Sequence, residues 1–138
     1  MHGRSGISAA TLKTLYALQD GVTRDPNAAA KNRGGVGLQE VIAMMNLLGG
    51  VSVPRQEPRL TIVSGTSCIC LQTPYIMGQR MHGPGSPRVL WFNPDNNVTQ
   101  PPDNLHVFDL TEPFAGTIIS LSFILDGSYL REKLDGRN

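Results

Sequence analysis

The chain has 138 residues, 12 basic and 11 acidic side chains, and a formal net charge of +1. That length suits a single domain, 1–138, with a core of its own. The balanced charge excludes the broad basic surface of a nucleic-acid binder or of a protein held at an anionic membrane. No apolar run reaches the roughly 18 residues of a membrane span, and the first residues lack the apolar core of a secretion signal. The expected setting is cytoplasmic, with no membrane or nucleic acid as partner and any phosphate contact local.

Ser8 is placed to cap a short helix whose apolar face is Leu12, Leu15 and Tyr16 and which Gly21 ends. Asp20 to Arg33 then carries Arg24, Lys31 and Arg33 with hardly any large apolar anchor, which predicts a mobile loop. It leads into Arg33-Gly34-Gly35-Val36-Gly37-Leu38, where glycines run directly into a helical pattern. Glycine lets backbone N–H groups approach a phosphate closely, and a helix start adds unpaired N–H groups and the positive end of a dipole. The run is therefore a nucleotide-site signal. It is neither a Walker loop, since no Lys-Ser or Lys-Thr follows, nor the dinucleotide Gly-x-Gly-x-x-Gly.

The second helix is marked by Leu38, Val41, Ile42, Met45 and Leu48, with Met44 and Met45 read as core and Gly49-Gly50 as the stop. Strands are expected at Leu60–Val63, Ser67–Gln72, Val89–Phe92 and Thr117–Leu125, with Ser64-Gly65-Thr66 as a tight turn between the first two. The last strand alternates Ile119, Leu121, Phe123 and Leu125 against Ser120 and Ser122, so its apolar face is expected to be buried beneath helices. Thr73–Pro87 and Asn93–Thr111 read as loops, and His82 to Arg88 as the loop of a hairpin, because its prolines remove N–H donors that a phosphate would need. Residues 127–138 read as a tail with a turn or two of helix.

Cys68 and Cys70 sit two apart on a strand, their α-carbons roughly 6.5 to 7 Å apart, at or past the limit for a disulfide. They are expected to be reduced. With His2, His82 and His106 they show no zinc-like spacing, so no metal site is expected.

The order of these parts resembles the GHKL superfamily, the ATP-binding domain of gyrase, heat-shock chaperone, histidine-kinase and MutL proteins. That family carries a first glycine box of the form Asp-x-Gly-x-Gly-Ile, a short helix, a mobile ATP lid and a second glycine box opening a helix. A Gly-Thr then starts a late strand. Here the corresponding parts are Gly6-Ile7-Ser8, the short helix, the polar loop, the glycine run ending at Gly37-Leu38, its helix, and Gly116-Thr117. The match spans residues 3–125.

The resemblance implies an α+β fold, a two-layer α/β sandwich with a mixed, mostly antiparallel sheet and helices on one face. It implies ATP with Mg as cofactor in the intact domain, and ATP hydrolysis or phosphoryl transfer as chemistry. Gly34, Gly35, Val36 and Gly37 would line the phosphates, Leu38 would anchor the helix, Gly6 would close the first box and Thr117 would lie near the adenine. Lys31 and Arg33, by charge and position, would reach the phosphates.

His2 stands where the family's adenine-reading Asp is expected, and Arg33 replaces a glycine of the second box. The family's helix carrying the magnesium-binding Asn and the general base lies before the first box. The chain is therefore expected to be the C-terminal part of such a domain, N-terminally truncated, naming no catalytic residue of its own. It would leave apolar surface uncovered and tend to self-associate or to need the missing N-terminal segment. The alternative is a degenerate, nucleotide-free protein-interaction module of the same fold. A scaffold that merely shares glycine turns would lack a helix packed behind Gly37.

Overall fold

A computed structural model describes residues 6–19, 22, 27, 37–48, 57–75, 79–80, 88–125 and 127–136. In chain order the elements are α1 (Ala9–Ala17), α2 (Gly37–Leu48), β1 (Arg59–Leu71), β2 (Gln79–Arg80), β3 (Arg88–Val89), β4 (Val107–Ser122) and α3 (Gly127–Asp135). The fold is α+β. Among the described residues β1 pairs with β4 and β2 with β3, both antiparallel.

Ser8 caps α1 as expected, its hydroxyl accepting from the Thr11 N–H at 3.2 Å. The buried face differs from the expected one. Leu15 and Thr11 are buried and Leu18 packs on the core, while Leu12 and Tyr16 face solvent. A row stepping by four, Thr11, Leu15 and Gln19, faces inward because hydroxyl and amide groups find partners there. The helix ends at Ala17 with Leu18 as its cap; Gly21 lies outside the described residues.

In α2 four of the periodic positions hold: Ile42 and Met45 are buried, and Leu38 and Val41 pack against the core, while the side chain of Leu48 is not among those described. Met44 is exposed, because it falls one residue off that stripe. A helix is therefore packed directly behind Gly37. The expected stop at Gly49-Gly50 lies outside the described residues.

Ser64-Gly65-Thr66 does not turn the chain back. β1 runs unbroken from Arg59 to Leu71, and the register shifts on either side of Gly65. The cause is the backbone of Gly65, whose φ of +58° is the left-handed conformation that serves equally in a turn or in a bulge. Between the pairs Ser64–Thr117 and Ser67–Asp109, β4 takes up more residues than β1, including Pro113, which has no N–H to give a ladder. The bulge also changes parity. Leu60 and Ile62 face the core before it, and Ser67, Ile69 and Leu71 after it.

β4 begins at Val107, ten residues before the expected Thr117, so the expected Asn93–Thr111 loop closes early. The expected strand at Val89–Phe92 is reduced to Arg88–Val89, whose partner Gln79–Arg80 lies within the expected Thr73–Pro87 loop. The expected hairpin loop, His82 to Pro87, lies outside the described residues. The tail carries more helix than a turn or two, all nine residues of α3.

The largest departure is on β4. Ile119 is 55% exposed, Leu121 39% and Leu125 62%, so three of the four residues expected to be buried are open, while Phe123 packs against the core. Leu121 and Ile119 stand opposite Leu60 and Ile62, on the side of the sheet that bears the core. Coverage reaches β4 at Val107 and leaves Thr111 to Ser122 exposed. One core joins Leu15, Ile42 and Met45 from the helices to Leu60, Ile62, Ile69 and Leu71 of β1, with Leu90, Phe92 and Val107 at its end. Each such side chain contributes about 1.5–3 kcal/mol by leaving water.

Candidate functional site

Gly6 and Ile7 lead into the N-cap of α1, and Asp109 of β4 pins that end. Asp109 accepts from the Ser8 N–H at 2.7 Å, the Ser8 hydroxyl at 2.7 Å and the Thr11 hydroxyl at 2.5 Å. Thr11 Oγ1 also lies 3.0 Å from Ser67 Oγ, which in turn is 3.1 Å from Thr14 Oγ1. The hydrogen bonds from Thr11 and then Ser8 hold the Asp109 carboxyl below its usual pKa, so it is a firm anion at the positive end of the helix.

These hydroxyls are held, not activated. The carboxylate that would have to take a proton is committed to Ser8 and Thr11, whose hydrogen bonds favour its charged form. The cluster joins α1 to both long strands and fixes where the Gly6 segment meets the sheet.

Thr117 lies across from Ser64, with their hydroxyl oxygens 2.9 Å apart on the exposed stretch of the pair. Ser64 shares a face with Leu60 and Ile62, and Ser67 shares the core face beyond the bulge, so the Gly6–Ser8 segment and Thr117 flank the bulge on the helix side of the sheet. Gly116 precedes Thr117 with φ +124°, a conformation that by itself demands glycine. The Gly-Thr pair thus has a backbone reason to exist whatever binds nearby.

Gly37 opens α2, and Leu38 packs where α2 meets the end of α1, lining a crevice with Leu18, Gln19, Leu71, Leu90 and Phe92. The crevice encloses about 10 Å³, room for one water. It is a packing seam. Leu71 lies roughly 20 Å along β1 from Ser64, which sets Leu38 toward the end of the strand away from Thr117. Lys31, Arg33, Gly34, Gly35 and Val36 lie outside the described residues.

Several polar residues that organise this region escaped the sequence reading. Gln19 is buried, donates to the Leu15 carbonyl at 2.8 Å and the Leu90 carbonyl at 3.0 Å, and accepts from the Leu90 N–H at 2.8 Å. It thereby clamps the end of α1 to the chain after β3. Its one sequence signal is position, an amide continuing the buried Thr11–Leu15 row.

The loop beyond is ordered by asparagines. Asn96 accepts from the Trp91 N–H at 2.7 Å and donates to the Val89 carbonyl at 2.8 Å, while Asn93 accepts from the Asn97 N–H and donates to its carbonyl. His106 Nδ1 lies 3.1 Å from the Cys70 carbonyl, and the His106 ring stacks edge-on to Tyr75 with centroids 4.8 Å apart. Burial first and Asp103 second raise the Tyr75 pKa.

Cys68 and Cys70 are free thiols, and burial, followed by the neighbouring Cys70, pushes Cys68 up to about 11. A thiol so rarely ionised is a poor nucleophile. Among the described residues no group of three or more His, Cys, Asp or Glu side chains is arranged to hold a metal, and no helix is long and apolar enough to cross a membrane. Comparison with protein-family models, with curated proteins and with solved structures found no match.

Proposed function

We propose that this chain carries part of a GHKL-type ATP site, with adenine toward Thr117 and phosphates toward the glycine run that ends at Gly37. The observation that supports it is the helix α2, which starts on the last glycine of that run and packs its Ile42 and Met45 into the core shared with β1. A helix so anchored holds its first N–H groups fixed, and fixed donors recognise phosphate without having to be ordered on binding. The antiparallel pairing of β1 with the strand bearing Gly116-Thr117 fits the same reading.

The resemblance assigns no magnesium ligand or general base to a residue of this chain, so the function proposed for it is binding, within a larger ATPase or kinase. Residues here would grip and orient the triphosphate, and Lys31 and Arg33 would neutralise its charge.

The test is a titration of the uniformly labelled chain with Mg-ATP to several millimolar, followed by backbone amide shifts. The reading predicts saturable changes at Gly6, at residues 31–38 and at Ser64 and Thr117, with little change in α3. An unchanged spectrum would sink it. The open β4 surface favours the second reading, a nucleotide-free interaction module of the same fold, and that reading would then stand alone.

A further inference from the structure

From Thr111 to Ser122 every residue of β4 is exposed, on both faces of the strand. Among the described residues β4 is hydrogen bonded along one side only, to β1, and no described residue pairs with its other edge. From Pro113 to Leu125 the sequence contains no charged residue. Natural edges of this length are guarded by lysines, charges or prolines, and only Pro113, at one end, guards this one.

Charge and symmetry select the occupant. A partner recognised through charge would meet none between Glu112 and Asp126, and a chain with net charge +1 offers little to keep its own copies apart. A second β4 matches this edge in length and apolar character. If two copies pair antiparallel about a twofold axis normal to the sheet, their helix-bearing faces fall on the same side. The half-covered rows Leu60–Leu121 and Ile62–Ile119 then continue into the same rows of the second copy, and two strands, marginal alone, become four.

We propose that β4 is a homodimerisation edge, joining two copies of this chain into one β1–β4–β4–β1 sheet. The proposal does not depend on nucleotide binding. It is tested by sedimentation equilibrium of the full chain up to about 100 μM, a range that detects micromolar association. The variants are Ile119→Lys and Ile118→Lys at the edge and Leu12→Lys as a control on α1, each checked for folding by circular dichroism.

The wild-type chain should approach twice its 14.9 kDa mass. Either edge lysine should weaken the dimer at least about tenfold, since a charge would be trapped at the joint, and Leu12→Lys should leave it unchanged. Ile118 and Ile119 are both well exposed, so neither change opens a cavity; should one variant misfold, the other decides. A wild-type chain that stays monomeric, assembles without limit, or dimerises equally well as a folded edge variant overturns the proposal.

Discussion

At the scale of single residues, the described architecture depends on polar side chains in structural posts. Replacing Asp109 by Asn removes the anion that receives Ser8 and Thr11 and should cost about 1 kcal/mol in urea unfolding. Because hydrogen bonding lowers the folded-state pKa of Asp109, its extra stabilisation is present above the unfolded value near 3.8 and is lost as pH falls through the lower folded value. The difference between wild type and Asp109→Asn should therefore be constant at neutral pH and shrink below about pH 3.8. Gln19→Leu fits by size but strands the buried Leu90 N–H and C=O, for an expected loss of about 2–4 kcal/mol, measured the same way. The Ser8 cap was legible in the sequence because it is local. Its acceptor Asp109 was not, since nothing in the chain marks a carboxylate 101 residues away as its partner.

At the scale of elements, α2 was the most legible, its stripe repeating long enough to fix type and face. β1 was misread as two strands because a glycine at positive φ ends a hairpin strand or bulges a continuous one with the same local sequence. Only the long-range pairing to β4 separates the two. A side chain added at Gly65 would meet nothing within 4 Å, so the cost of substitution comes from the backbone alone. Gly65→Val should lower stability by at least about 1–2 kcal/mol and Gly65→Asn by less, since Asn tolerates the left-handed region. Equal losses in thermal unfolding would argue that Gly65 is not held at positive φ. The Asn93–Thr111 stretch looked irregular for a different reason: its order comes from asparagine side chains bonding to the main chain, which leaves no periodicity to read.

At the scale of the whole molecule, alternation along β4 correctly announced a strand with an apolar face but not whether anything covers it. Burial depends on what packs across the sheet, and α1 and α2 cover β1 while β4 is exposed from Thr111 to Ser122. The nucleotide reading draws on the order of glycine motifs along the entire chain, and it divides into two structural halves. Gly6 and Thr117 flank the bulge, and Gly37 and Leu38 lie toward the far end of β1.

Gly37 offers the most direct test, because its structural and functional roles can be separated. It heads α2, nothing lies within 4 Å of an added Cβ, and its backbone is not in the region that demands glycine. Gly37→Ala should leave the urea midpoint unchanged or slightly raised, since Ala favours a helix by up to about 1 kcal/mol. The decisive measurement is Mg-ATP affinity for wild type and Gly37→Ala beside those midpoints. A drop of at least about tenfold in affinity at undiminished stability is the predicted result, because the methyl group would hold the phosphate away from the helix N–H groups. No ATP binding by the wild-type chain, or equal binding by both, would contradict the account.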